Sequence, residues 1–347
     1  MIDLPRTVDF DGEKVILVDQ RKLPEELSFF ECKDVECVAF AIKNMVVRGA
    51  PAIGATAAFG LALVASKFRG SRDELLDELR RAAELLRQTR PTAYNLFWAI
   101  DRVLDRAEGS SSDEIREKVI QEARKIAEED VENNRRIGEY GYRLIRDGYR
   151  VMTICNAGSL ATVWYGTATA PMYRAHEEGI EFEVIALETR PVLQGARITA
   201  FELNKAGIPV KLIVDGAAGY VMSEMGVDLV ITGADRVLKD GTTYNKIGTY
   251  SLSVLAKEHG VPFYVAAPTS TFDLYSRPED VRIEMRDPKE VAFIGHRRIA
   301  PEGVHIINPA FDRTPPNNIT GIITEKGVIE SPLDEGIRRL FSRIREA

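Results

Sequence analysis

Three short apolar runs in the second half of the chain each stop at a polar group, and this constrains the fold more than any other feature. Residues 151–154 lead into Cys155-Asn156, residues 212–214 into Asp215, and residues 229–232 into Gly233-Ala234-Asp235. Runs of this length, rich in β-branched side chains and ended by small-residue turns, read as buried strands of a parallel sheet. More strand-like runs, at 182–187, 210–214, 263–266 and 305–307, alternate with helical stretches at 194–205 and 249–259. That alternation is the βαβ pattern with right-handed crossovers. Ligands of open sheets bind beyond the carboxyl ends of the strands. The Cys155 thiol and the Asp215 and Asp235 carboxylates are therefore expected on the rim of a site.

Upstream the chain reads as mostly helical. Asp11-Gly12, between runs at 8–10 and 15–18, signals a hairpin. Asp34 is placed to N-cap a helix carrying Val35, Val38, Ala39, Ile42 and Met45, which ends at Arg48-Gly49-Ala50-Pro51. Residues 52–68 are small and apolar on nearly every side, as in a helix buried all round. Charged amphipathic segments follow at 71–89, 94–108 and 112–146. The expected fold class is α/β. A mainly helical N-terminal domain with a small β element occupies residues 1–125, and a Rossmann-like domain with a parallel sheet occupies 126–347. The boundary is expected within or after the long helix, between residues 112 and 148.

Composition narrows the function classes. The 347 residues carry a net charge of −7 with acids and bases interspersed, which argues against nucleic acid or an anionic membrane as partner. No signal-peptide pattern opens the chain, and no apolar run nears membrane-spanning length. Three cysteines argue against a disulfide scaffold and for a reducing, cytoplasmic setting. Scarce glutamine beside abundant Glu, Lys and Arg hints at a heat-adapted source. Cys32 and Cys37 have no clustered histidine, so no metal site is expected. No G-x-G-x-x-G follows a strand, which weakens a nicotinamide or flavin reading.

Several residues stand where chemistry is done, each with a plainer alternative. Cys155 precedes a small-residue turn and an expected helix start, which would favour a thiolate; a lone cysteine is otherwise a buried, inert side chain. Asp235 at a strand end suits a general acid or base, or simply an N-cap or a partner for Arg236. Asn245 and Lys246 can bind a phosphate or polarise a carbonyl. Arg48 and Arg90, beside Gly and Pro breaks, offer guanidinium forks to phosphate oxygens, or else surface ion pairs. Gln194 opens Gln194-Gly195-Ala196-Arg197 at a similar break.

Together these pieces resemble the methylthioribose-1-phosphate isomerase family. The residues that carry the resemblance are Val18-Asp19-Gln20-Arg21, the stretch from Met45 to Gly54, Arg90-Pro91-Thr92 and Cys155-Asn156-Ala157-Gly158. They continue through Glu188-Thr189-Arg190-Pro191, Gln194-Gly195-Ala196-Arg197, Asp215-Gly216-Ala217-Ala218, Gly233-Ala234-Asp235-Arg236, the stretch from Asn245 to Thr249 and that from Ala267 to Asp273. The resemblance implies a cytoplasmic homodimer that converts an aldose phosphate to a ketose phosphate in methionine salvage, with no metal or cofactor. It implies Cys155 and Asp235 as the catalytic pair, and Arg48, Gly49, Ala50, Arg90, Gln194, Asn245 and Lys246 as substrate-binding residues. Ile154 and Ser159 depart from the family pattern, where a polar residue and an alanine are usual. The fold is shared with ribose-1,5-bisphosphate isomerases and with regulatory subunits of a translation-initiation exchange factor. Isomerisation of ribose 1,5-bisphosphate or 5-deoxyribose 1-phosphate, and a non-catalytic regulatory role, are therefore the competing readings.

Overall fold

A computed structural model describes residues 2–90 and 93–346. Pro91 and Thr92 of the Arg90-Pro91-Thr92 motif lie outside the described residues. The chain divides into two compact units. One comprises residues up to Arg136 together with Ala157–Ala170; the other comprises Ile137–Asn156 and residues from Pro171 onward. The division thus falls later than residue 125, and a segment beyond Cys155 returns to the first unit.

The first unit opens with a three-stranded antiparallel sheet, β1 (Val8–Phe10), β2 (Val15–Val18) and β3 (Phe29–Cys32). Asp11 closes the β1–β2 turn by accepting the Glu13 and Lys14 amides, each at 2.9 Å. Helix α1 (Val35–Lys43) starts where expected, with Asp34 accepting the Cys37 amide at 2.8 Å. That same turn brings Cys37 to Cys32, and the two form a disulfide with Cα atoms 5.2 Å apart. The expectation that the three cysteines belong to a reducing setting did not foresee this bond: a strand end folded back on a helix start supplies the short Cα separation a disulfide needs.

Helix α2 (Ala50–Lys67) is buried on nearly all sides by α1, α3 (Arg72–Arg87) and α4 (Tyr94–Asp105). By length and composition it is apolar enough to cross a membrane, contrary to the reading that no run was, yet 78% of it is buried inside the protein. Its many Ala and Gly residues let neighbouring helices approach, so the all-round apolar pattern is that of a core helix. Ser71 and Glu74 form a capping box at the start of α3. Helix α5 (Ser112–Gly141) is the long charged helix. The returning segment is tied to this unit by hydrogen bonds from the Thr7 amide to Val163 O (2.9 Å), from Gln20 Nε2 to Leu160 O (2.7 Å) and from the Val163 amide to Asp130 (2.7 Å).

The second unit is α/β. Its elements are β4 (Arg150–Thr153), α6 (Ala170–Glu177), β5 (Glu183–Leu187), α7 (Ala200–Lys205), β6 (Val210–Ile213), α8 (Ala218–Tyr220) and β7 (Leu229–Thr232). Then come β8 (Arg236–Leu238), β9 (Thr243–Lys246), α9 (Thr249–Glu258), β10 (Phe263–Ala266), β11 (Phe272–Asp273), α10 (Lys289–Ala292), β12 (Phe293–Ile294) and β13 (Arg297–Arg298). Last are β14 (Phe311–Thr314), β15 (Gly321–Thr324), β16 (Gly327–Glu330) and α11 (Leu333–Glu346).

A seven-stranded sheet has the order β6-β5-β4-β7-β10-β15-β16, parallel except for β16, which pairs antiparallel with β15. This is the doubly wound order, in which the winding direction reverses between β4 and β7. The run at 305–307 is not a strand: it lies outside any sheet, with Ile307 67% exposed. The sixth and seventh positions belong to the β15–β16 hairpin. A second sheet, β11-β8-β9-β14, follows the carboxyl end of β7 in the chain.

Candidate active site

The reversal point is occupied by the two residues singled out for chemistry, Cys155 beyond β4 and Asp235 beyond β7. Adjacent parallel strands whose connections leave in opposite directions open a crevice at their carboxyl ends. Here β4 and β7 are neighbours, with Met152 in register with Val230.

Cys155 is partly exposed and is the free cysteine of the chain. Its backbone is left-handed, with φ at 68°, a conformation that costs a residue with a Cβ of order 1 kcal/mol or more. Hydrogen bonds on both sides hold it there. The Cys155 amide donates to Thr189 Oγ1 at 2.8 Å, and the Thr199 hydroxyl donates to Cys155 O at 2.6 Å. Asn156, buried, reaches Thr199 Oγ1 at 3.2 Å and Glu202 Oε1 at 3.1 Å. The helix start expected just beyond the thiol is absent. Residues 157–170 contain only a 3₁₀ turn, Ser159–Ala161, before α6 begins at Ala170. Their backbone groups bond to Thr7, Gln20 and Asp130 or within the loop itself, so no α-helix starts beside the thiol.

Gln194 meets the thiol. Its Nε2 lies 3.4 Å from Cys155 Sγ. The side chain is 4% exposed, and its Oε1 has no hydrogen-bond partner among the described residues. A buried acceptor left unpaired costs about 1–3 kcal/mol, so this oxygen is poised for a donor that arrives with a ligand, such as a sugar hydroxyl. Gly195 makes the placement possible. A Cβ there would lie 1.7 Å from Leu187 O, so only glycine lets the π-helical turn Gly195–Thr199 sit on the end of β5.

Lys246, the last residue of β9, is buried, with its ammonium 5.6 Å from the Phe311 ring centroid. Burial pulls its pKa below the ordinary lysine value; Cys155 opposes that, Arg286 adds to it, and Asp235 and Glu290 oppose it. Cys155 and Asp235 thus both act electrostatically on the Lys246 ammonium. Asn245 is buried and donates to Thr249 Oγ1 at 3.0 Å. The Asp235 amide donates to Tyr244 O at 2.9 Å, while Arg236, the alternative partner for Asp235, pairs with Asp273 at 3.0 Å.

The remaining expected residues lie in the first unit. Arg48 is half-buried between α1 and α2, Gly49 is the N-cap of α2 with φ at 95°, and Ala50 is its first residue. A Cβ on Gly49 would fall 2.2 Å from Ala161 O. A helix N-terminus beside an arginine is suited to an anion. Arg90 is half-buried beyond α3.

Residues with no conspicuous sequence pattern complete the second unit's cluster. Asp312 accepts the Gly248 and Tyr250 amides at 2.7 and 3.0 Å, and so fixes the turn after Lys246. Burial pushes its pKa up to about 6 against those hydrogen bonds. Glu290 accepts Arg286 Nε at 2.9 Å and Asn308 Nδ2 at 3.1 Å. No group of three or more His, Cys, Asp or Glu arranged for a metal occurs among the described residues.

Residues 46–331 match the model of the initiation factor 2 subunit family. A Methanocaldococcus jannaschii relative, provisionally named a methylthioribose-1-phosphate isomerase, is 56% identical over 96% of this chain and 97% of its own length. The chain belongs to the methylthioribose-1-phosphate isomerase family. The structure of 5-methylthioribose 1-phosphate isomerase from Pyrococcus horikoshii OT3 superposes with a TM-score of 0.91 at 48% identity, covering 98% of this chain and 97% of that one. A structure described as translation initiation factor eIF-2B, subunit delta, from A. fulgidus gives 0.88 at 50% identity, covering 98% and 100%. Members of the methylthioribose-1-phosphate isomerase family therefore share this chain's architecture over nearly its whole length. Within the second unit the geometry offers a thiol, a carboxylate, a desolvated ammonium and an unpaired buried acceptor. That is a set suited to moving protons on a polyhydroxylated anion.

Proposed function

We propose that this chain is an aldose–ketose isomerase that converts 5-methylthioribose 1-phosphate to 5-methylthioribulose 1-phosphate, a step of methionine salvage. The observation that carries the reading is Cys155, held in a strained backbone at the reversal point with the unpaired acceptor of Gln194 against its sulfur. The near full-length similarity to proteins of that name supports the choice of substrate.

A sugar phosphorylated on its anomeric oxygen is locked as a ring and cannot open to a free aldehyde. Asp235 is assigned as the acid that protonates the ring oxygen on opening and as the base for the hydroxyl proton. Cys155 is assigned to move the carbon-bound proton from C2 to C1 through an enediol-like intermediate. Lys246 and Asn245 bind the substrate's oxygens, and Gln194 accepts from a sugar hydroxyl. Arg48 and Arg90, with the amides around Gly49 and Ala50, are assigned to the phosphate. Hydride transfer from C2 to C1, with the pair handling only oxygen protons, is the competing route. Deuterium at C1 of product formed in deuterated water supports the proton route, and its absence supports hydride transfer.

A cytoplasmic location belongs to the same proposal, since a phosphorylated sugar is a charged metabolite that membranes retain, and homodimerisation is carried into it by the family resemblance alone. No nucleic acid or membrane partner is invoked. The Cys32–Cys37 disulfide is compatible with a cytoplasm, because intracellular proteins of hyperthermophiles carry disulfides.

The deciding experiment compares turnover of 5-methylthioribose 1-phosphate, 5-deoxyribose 1-phosphate and ribose 1,5-bisphosphate, with Cys155→Ser as control. Fastest turnover of the first, lost in the variant, is expected. Preference for another substrate would reassign the enzyme within its class. No turnover of any would favour a regulatory role, which the similarity to the structure described as an eIF-2B subunit makes the second reading.

A further inference from the structure

Thr189 belongs to the Glu188-Thr189-Arg190-Pro191 motif, of which the site described so far uses only the Thr189 hydroxyl, as acceptor for the Cys155 amide. It is fully buried and sits just past β5. Its backbone is left-handed, with φ at 65°. For a β-branched residue this is a true outlier, because the branched Cβ crowds the following carbonyl. Such strain persists only where the surroundings over-determine it.

The surroundings here are specific. Asp215, past β6, accepts two successive amides, Thr189 N on Oδ1 and Arg190 N on Oδ2, each at 2.7 Å. That bidentate grip fixes the turn. The Thr189 hydroxyl has one proton, and it goes to Leu187 O at 3.0 Å. A lone pair is left for Cys155, whose amide donates to it at 2.8 Å. Cys155 is itself left-handed, and its sulfur lies against Gln194. Leu193, preceding Gln194, is left-handed as well, with φ at 61°. Strained Thr189 and Cys155 thus lie along a single path of hydrogen bonds that runs from Asp215 past β6, through the end of β5, to the end of β4, and strained Leu193 joins it by donating its amide to Thr189 O at 2.8 Å.

We propose that Thr189, braced by Asp215, is a positioning residue: its hydroxyl holds Cys155 in the left-handed conformation that sets the thiol against Gln194. The role in turnover rests on the isomerase reading above; the hold on the thiol does not.

Three variants separate the hydroxyl from the fold. Thr189→Gly removes the hydroxyl while relieving the positive-φ strain, which offsets part of the cost of the buried hydrogen bonds it loses. Thr189→Val keeps the shape without the hydroxyl, and Thr189→Ser restores the hydroxyl. Cys155 is the free cysteine, the other two being disulfide-bonded, so iodoacetamide labelling without reductant reports on it alone. In Thr189→Gly and Thr189→Val, labelling at neutral pH is expected to slow several-fold as the thiol leaves the Gln194 amide. In the same variants kcat for 5-methylthioribose 1-phosphate should fall about 10- to 100-fold with KM little changed, the scale of a catalytic group displaced by about an ångström. Thr189→Ser should stay close to wild type in both readouts.

Wild-type labelling and kcat in a folded Thr189→Gly protein would overturn the proposal. So would a Thr189→Ser protein as impaired as Thr189→Val, because the hydroxyl would then not be the active part. If the wild type turns over none of the sugar phosphates, the isomerase reading fails, and the labelling rates alone still decide the role of Thr189.

Discussion

Gln194 Nε2 donates to the Cys155 sulfur across 3.4 Å, while the amide oxygen of the same side chain is buried without a partner among the described residues. One end of the glutamine thus orients the thiol, and the other awaits a donor. Replacing it by leucine removes both ends and also removes the cost of the unpaired oxygen. Gln194→Leu should therefore unfold in urea at a concentration no lower than the wild type. Its KM should rise by roughly 10-fold, the loss of about one to two hydrogen bonds' worth of binding. A large drop in unfolding midpoint with unchanged KM would show that Gln194 is structural.

Cys155 and Asp235 are assigned different protons, so their variants should be equally slow yet distinguishable. Cys155→Ser and Asp235→Asn are each expected to lower kcat by about 10²- to 10⁴-fold, the usual range for acid–base catalysis. Substrate binding, followed by calorimetry, should be largely kept in both. If Cys155 moves the carbon-bound proton, residual turnover by Cys155→Ser should show a larger isotope effect with substrate deuterated at C2 than turnover by the wild type. Near-normal kcat for either variant would remove that residue from the mechanism.

Asp312 is the residue from which a pH dependence follows. Burial raises its pKa from 3.8 to about 6, with the Tyr250 and Gly248 amides and Lys246 pulling the other way. A raised carboxyl pKa means that the folded state prefers the neutral acid, so the ionised form costs stability at pH above about 6. That cost is relieved as pH falls through the folded value toward 3.8. The stability of the wild type relative to Asp312→Asn should therefore improve as pH falls through this window and stay level above it. Urea unfolding of both proteins from roughly pH 4 to pH 8 measures the difference. A difference independent of pH would mean that the carboxyl is hydrated and unperturbed.

Much of this arrangement is legible in the sequence. The runs ending near Cys155 and Asp235 are buried strands because apolar β-branched residues with strand-length spacing have few other ways to be buried in an α/β unit. The run ending at Asp215, expected to be buried too, belongs to the edge strand β6 and leaves Leu212 50% and Val214 59% exposed. The rule about strand ends put Cys155, Asp215 and Asp235 on one rim, the family resemblance singled out Cys155 and Asp235 as a pair, and β4 and β7 are neighbours at the reversal point. The failures have physical causes. The run at 305–307 has the composition of a strand but finds no neighbour, whereas the hairpin from Gly321 to Glu330 has both a tight turn and a β10 edge to join. The helix expected after Cys155 is missing because that segment's carbonyls accept from Thr7 and Gln20, its Val163 amide donates to Asp130, and others of its backbone groups bond within the loop, contacts that no local propensity reports. The Cys32–Cys37 bond depends on how β3 meets α1, and Thr189 and Asp312 matter through hydrogen bonds to backbone groups far away in sequence. Hydroxyls and carboxylates of that kind look the same in a sequence whether they brace a site or face water.

Gly195 offers the sharpest test of whether the site depends on close packing at the end of β5. A methyl group there would have to occupy space 1.7 Å from Leu187 O and 2.8 Å from Thr189 Oγ1. Both neighbours are fixed, Leu187 O by its place in the strand and Thr189 by the Asp215 grip. The turn beginning at Gly195 must therefore move away from the strand, and Gln194 must move with it. Gly195→Ala is expected to lose about 3 kcal/mol or more of stability, at or beyond the upper end of ordinary overpacking, despite the better helix propensity of alanine. Its remaining folded fraction should label at Cys155 at an altered rate, because the Gln194 amide no longer sits against the sulfur. A Gly195→Ala protein with wild-type unfolding midpoint and labelling rate would show that this turn is free to shift without disturbing the thiol.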